Sequence, residues 1–158
     1  MEPIRIDSGP WNILVEEILA VYAPGSLIPH EWLKNRFRIR DKSELKFKDY
    51  GNEAEFIAAL ERIDRTYQFL VESLQSRLLE DRKGYLVNRH GEGYMILPYD
   101  EQVAYAYNRF IGKLERSIKK TDRIMKYRPP VSAEQQARDN DIIARYSWFT
   151  QMVPVLKK

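Results

Sequence analysis

The chain has 158 residues, 44 % of them apolar and 31 % charged, and 26 Lys+Arg against 23 Asp+Glu leave a formal net charge of +3. A chain of this length removes roughly 68–70 % of its unfolded surface from water, enough for a core without disulfide or metal staples. The absence of cysteine excludes disulfides, thiolate metal sites and cysteine nucleophiles, while 19 aromatic residues (3 Trp, 10 Tyr, 6 Phe) argue against disorder.

The start, MEPIRIDSGPW, lacks a basic region followed by an apolar stretch, and no window approaches the ~20 apolar residues of a membrane span. A soluble cytoplasmic protein is expected. Between Pro10 and Pro24, residues Trp11, Leu14, Val15, Ile18, Leu19 and Tyr22 recur at helical spacing, with Asp7 or Ser8 as cap. After the turn at Ala23–Ser26 a short second helix is expected, capped by Ser26 with Pro29 in its first turn. Its inward side would carry Ile28, Trp32, Leu33 and Phe37. Residues 34–48 are basic: Lys34, Arg36, Arg38, Arg40, Lys42, Lys46 and Lys48 outweigh Asp41 and Glu44. Alternation over Arg36–Arg40 admits either a short edge strand or a basic loop. From Asn52 to Arg82 there is neither Gly nor Pro. There Phe56, Leu60, Ile63, Tyr67, Leu70, Leu74 and Leu78 form one apolar stripe on a helix, continuous or broken near Asp64–Thr66.

Gly84 is expected as the left-handed cap ending that helix. Tyr85-Leu86-Val87 and Tyr94-Met95-Ile96 flank a polar, glycine-bearing turn and predict a β-hairpin closed by Pro98. A helix starting at Asp100-Glu101 carries Val103, Tyr107, Phe110, Leu114, Ile118 and Met125, with Thr121 in the remaining slot, and stops before Pro129-Pro130. Ser132 and Gln135 read as a capping box for a last helix bearing Ile142, Ile143, Tyr146, Phe149 and Met152. The fold class expected is α+β, mostly helical. Its parts are residues 1–98 with an insertion at about 39–52, a long basic amphipathic helix over 99–128, and a C-terminal helix over 129–158 after a Pro-Pro hinge.

The segment FLVESLQSRLLEDRKGYLVNRHGEGYMIL (Phe69–Leu97) resembles the third helix, strand, wing and strand of the winged helix-turn-helix superfamily. The wing return is Arg89-His90-Gly91-Glu92-Gly93-Tyr94-Met95-Ile96, and its glycines suit a tight hairpin tip. Tyr94 and Ile96 are expected to point back into the core. The resemblance covers about residues 11–97. It departs from the superfamily pattern in the stretch of about 25 residues between the second helix and the recognition-like helix, where a short turn is usual. What it implies is a groove-facing third helix with Gln68, Glu72, Ser73, Gln75, Ser76 and Arg77 outward. Gln and Arg read base edges and Ser bonds phosphate or base. Glu72 opposes a phosphate backbone, with Glu80 and Asp81 just beyond, and a merely solvated helix face is the competing reading.

At the wing, Arg82, Lys83, Asn88, Arg89 and His90 concentrate positive and hydrogen-bonding groups on a protruding hairpin, suited to backbone or minor-groove contact. Over Arg109–Arg128, eight cations face only Glu115 and Asp122, a local net of +6. Lys113, Arg116 and Lys120 are candidates for phosphate contact there. The apolar stripe Val103, Tyr107, Phe110, Leu114, Ile118 and Met125 predicts packing on another helix, within or between chains, and a homodimer is expected. Catalysis has no support: His30 and His90 lack metal-ligand spacing, and His30 reads as a surface or core-edge residue. Gly91-x-Gly93 is no dinucleotide loop, so neither cofactor nor metal is expected. The expected role is a non-enzymatic regulator of transcription or replication, of phage or plasmid type, that binds double-stranded DNA and no membrane. The alternative is a protein-interaction module, or a phage-type inhibitor that docks on and blocks a larger host machine.

Overall fold

The computed structural model describes residues 2–81 and 83–157. Two compact units divide the chain, one over residues 1–102 and one over 103–158.

In the first unit, α1 spans Gly9–Val21, with Pro10 in its first turn. Ser8 is the cap: its hydroxyl accepts from the Trp11 amide at 3.3 Å, while Asp7 sits at φ 59°. The Ala23–Ser26 turn leads into β1 (Leu27–Pro29), where helix had been expected. Leu27, Ile28 and Pro29 pair with a later strand, and Ile28 is fully buried. Proline, lacking an amide hydrogen, closes this three-residue strand and serves as the cap of α2 (His30–Arg36), so Ser26 has no capping role. Of the two readings of 36–40, the loop is the one adopted: α2 ends at Arg36 and Arg38 takes φ 56°.

The expected insertion holds two 3-10 turns, Lys42–Glu44 and Phe47–Asp49. Phe47 and Tyr50 pack edge-on against Phe56, shielding the first turns of the next helix. That helix, α3 (Glu53–Glu80), runs unbroken for 28 residues. Asn52 caps it through the Glu55 amide at 2.9 Å, and Glu55 returns a carboxylate oxygen to the Gly51 amide at 3.0 Å. Its buried side chains lie only in the second half: Tyr67, Leu70, Val71, Leu74 and Leu78. Asp81, not Gly84, is the C-cap; Gly84 lies three residues further on.

The hairpin consists of β2 (Leu86–Arg89) and β3 (Gly93–Ile96), in antiparallel register Leu86↔Ile96 to Arg89↔Gly93. β3 also pairs with β1, so the three-stranded antiparallel sheet has the order β1-β3-β2. Ile96 is buried and Tyr94 is partly buried against the core, as the alternation predicts. Gly93 permits the three-strand arrangement. A Cβ there would lie 2.0 Å from the Ile28 carbonyl oxygen, so β1 approaches β3 over a bare backbone. The core is built from Trp11, Leu14, Val15 and Ile18 of α1, Ile28, Leu33, Phe37, the α3 stripe, Leu86 and Ile96. Trp11 stacks on Phe37 with ring centroids 6.1 Å apart.

His30 sits at the edge of this core. Its Nδ1 lies 2.7 Å from the Tyr67 hydroxyl, and its ring meets Tyr94 edge-on. Burial, and then the nearby Lys34 charge, pull its pKa below the ordinary 6.5. The folded protein therefore holds His30 neutral where the unfolded chain binds a proton, so stability is complete above pH 6.5 and is lost as pH falls through and below it. Urea midpoints at neutral and mildly acid pH check this. His30→Gln should lose less stability than the parent over that interval, and an equal loss in both would contradict the assignment.

In the second unit, a 3-10 turn (Tyr99–Glu101) of the preceding segment runs into α4 (Gln102–Lys126), and α5 spans Ala133–Met152. Ser132 caps α5 by accepting from the Gln135 amide at 3.3 Å, but the Gln135 side chain binds Asp139 at 2.7 Å instead of returning to the cap. Only half of the expected capping box forms. The helices run antiparallel: Arg128 pairs with Asp139 at 2.6 Å, Tyr146 donates to Asp122 at 2.7 Å, and the Tyr107 hydroxyl bonds the Leu156 carbonyl. Burial, with the Asp122 carboxylate adding to it, pushes the Tyr146 phenol up to about 12. No helix among the described residues is long and apolar enough to cross a membrane.

Candidate nucleic-acid interface

The segments that the resemblance singles out are presented unequally. On α3, Gln68, Glu72 and Ser76 are exposed, but three of their expected companions are engaged elsewhere. Gln75 turns toward the sheet: its Oε1 accepts from the Leu86 amide at 2.6 Å, tying α3 to the first strand of the hairpin. Its Nε2 is buried and finds no acceptor among the described residues. Ser73 bonds back to the Phe69 carbonyl at 2.8 Å. Arg77 pairs with Asp81 at 3.1 Å and reaches Asp7 at 4.0 Å, so its charge is offset within the fold. Phe69 and Leu79, which pattern reading assigned no outward role, are 59 % and 48 % exposed on the same helix. Glu53–Glu80 carries six acidic residues and three arginines, a net of −3. A helix of this charge repels phosphate along most of its length.

The hairpin is different. Arg89, His90, Gly91 and Glu92 form its tip, closed by the Glu92 amide donating to the Arg89 carbonyl at 2.9 Å. Gly91 takes φ 79° there. Lys83, Asn88, Arg89 and His90 are all exposed, and Arg82 lies outside the described residues. The Arg89 guanidinium rests 3.7 Å from the Met95 sulfur, so the side chain folds back along the hairpin. The Tyr99 hydroxyl donates to the Lys83 carbonyl at 3.2 Å and anchors the base of the hairpin.

The second unit has its own basic surface. Arg116, Lys120, Arg123 and Tyr127 step by four, three and four along α4 and, with Lys119 and Ile124, line a depression of about 480 Å³. Lys113, Arg116 and Lys120 are exposed, and Arg116 Nε donates to the Gly112 carbonyl at 3.1 Å. The Lys126 ammonium stands 5.4 Å from the centre of the Tyr127 ring. Sequence reading caught these cations but missed Tyr127, whose spacing from Arg116, Lys120 and Arg123 was the available signal.

The residues expected at a dimer contact divide. Leu114, Ile118 and Met125 are partly covered, and the Tyr146 hydroxyl lies 3.1 Å from the Ile118 carbonyl. Met125 shares an apolar hollow with Ile143. Tyr107 reaches Leu156 through its hydroxyl, whereas Val103 and Phe110 remain largely exposed. Of the expected stripe, Met125 and the Ile118 backbone meet α5 of the same chain, while Val103 and Phe110 are left to solvent.

Among the described residues, no three His, Cys, Asp or Glu side chains gather into a cation site. Comparison with protein-family models, with curated proteins and with solved structures finds no match to the chain.

Proposed function

We propose that the protein is a winged-helix, non-enzymatic DNA-binding regulator that contacts duplex phosphates through its wing and through the basic surface of α4. The observation that carries this reading is the order helix, strand, helix, helix, strand, strand with sheet order β1-β3-β2 and an exposed basic hairpin tip. Three helices followed by a hairpin is the order the superfamily resemblance implies, with β1 added to it, and Lys83, Asn88, Arg89 and His90 would occupy its wing. Lys113, Arg116 and Lys120 add a second patch suited to phosphate. The part assigned to α3 is narrower than the resemblance alone implies: Gln68 and Ser76 remain available for base edges, and Glu72 disfavours close approach to phosphate.

A second reading, docking on a protein partner, is favoured by the exposed Phe69 and Leu79 beside Glu72 on a helix of net −3. Apolar groups rimmed by charge suit a protein surface better than a phosphate backbone. Filter binding of random duplex at low salt separates the two. Retention that weakens steeply with salt supports the DNA reading, and absence of retention at micromolar protein transfers the assignment to a protein partner.

A further inference from the structure

The second unit leaves most of its apolar side chains in solvent: among the described residues from 103 onward, only Ile111 and Val153 are buried hydrophobics. Two antiparallel helices cannot enclose a core between themselves, and the four-helix bundle is a common way of closing one. The exposed apolar groups are ordered. Val103, Phe110, Ser117 and Ile124 follow one another at seven-residue intervals along α4, as do Ile142, Phe149 and Leu156 along α5 and the segment after it. The six apolar members are between 43 % and 82 % exposed. The bonds Arg128–Asp139, Tyr146–Asp122 and Tyr107–Leu156 set the levels of the two helices. Ser117 is thereby level with Phe149 and Ile124 with Ile142, while Leu156, beyond the end of α5, lies nearest Tyr107. Ile124 and Ile142 line one hollow of about 180 Å³, which places the two rows on the same side of the hairpin.

We propose that this shoulder docks on a second copy of the chain, forming a two-fold symmetric four-helix bundle. Strict seven-residue spacing holds a row in register only against another helix of similar length, and the chain supplies helices of 25 and 20 residues. The face is also self-complementary, as a two-fold contact demands. Small Ser117 of one copy lies opposite the large Phe149 ring of the other. The flanking Arg138 and Arg145 are already paired with Glu134 at 2.6 Å and Asp141 at 2.7 Å, so Lys113 and Lys120 of the other copy meet a neutralised edge. Covering the six side chains and the flanking stems removes on the order of 800 Å² per copy, the size of a standard stable interface. The inference is independent of what the first unit binds.

Light scattering of the full-length chain at micromolar concentration tests it, with an expected mass of twice 18.8 kDa. The double variant Ile124→Glu/Phe149→Glu should raise the dimer dissociation constant about 100-fold or more, giving a monomer with unchanged helical circular dichroism. A monomeric parent, or a folded double variant that stays dimeric, would overturn the proposal. If the double variant unfolds, cysteine pairing decides, because the parent has no cysteine. Ser117→Cys chains mixed with Phe149→Cys chains should form a disulfide-linked pair under mild oxidation, well beyond Ser117→Cys alone. Equal cross-linking in the two would refute the bundle. Duplex binding is read separately, so neither outcome decides the DNA assignment.

Discussion

Replacing Gly93 by alanine is expected to cost at least about 3 kcal/mol of stability, from the sum of overpacking and backbone strain. The added Cβ would stand 2.0 Å from the Ile28 carbonyl oxygen, 2.9 Å from its carbon and 3.0 Å from the Pro29 Cα. All three are backbone atoms of β1, so relief requires parting β1 from β3. Ile28, fully buried between the helices and the hairpin, would be drawn out with them. Gly91→Ala is the control: its φ of 79° also disfavours a side chain, but nothing lies within 4 Å of an added Cβ. It should cost only about 1 kcal/mol. Urea unfolding of both variants checks the difference. Equal midpoints would mean that β1 does not press on Gly93 in the folded protein.

The second large effect is expected at Trp11. The indole is fully buried on α1 and stacked on Phe37, so truncation to alanine removes the largest side chain of the core and leaves a cavity. A loss of about 3–5 kcal/mol is expected, enough to unfold a domain of ordinary stability. Phe69→Ala, at an aromatic side chain 59 % exposed on α3, should stay within about 0.5 kcal/mol of the parent. The contrast separates an aromatic that holds the fold from one available to a partner. A Trp11→Ala protein that unfolds at the parent midpoint would place the core elsewhere.

Much of the first unit was legible because its elements are signalled locally. Ser8 and Pro10 mark the start of α1, the absence of Gly and Pro from Asn52 onward allows α3 to run unbroken, and the glycines at 91 and 93 mark the hairpin. β1 escaped because three residues ending in proline carry no period of their own. Leu27–Pro29 is a strand only because β3 lies beside it, and that contact spans more than sixty positions. The candidate site was legible in outline. The cations of the hairpin declare themselves by number, but side-chain partners do not. Gln75 is spent on the Leu86 amide and Arg77 on two aspartates, because the chain folds those groups next to them. The α4 stripe teaches the same lesson. Spacing tells which side of a helix avoids water, while Tyr146 and Ile143 of α5 decide how much of that side the chain itself covers.

The most direct test of the DNA assignment is the salt dependence of duplex binding by the full chain and by Lys83→Ala/Arg89→Ala. Each phosphate contact contributes about −0.9 to the slope of log K against log salt concentration, so the five cations Lys83, Arg89, Lys113, Arg116 and Lys120 give roughly −4.5. The double variant is expected to bind more weakly on every duplex sequence, with a slope shallower by about 2. A parent that shows no salt-sensitive binding, or a double variant with the parent's affinity and slope, would contradict a phosphate-contacting wing.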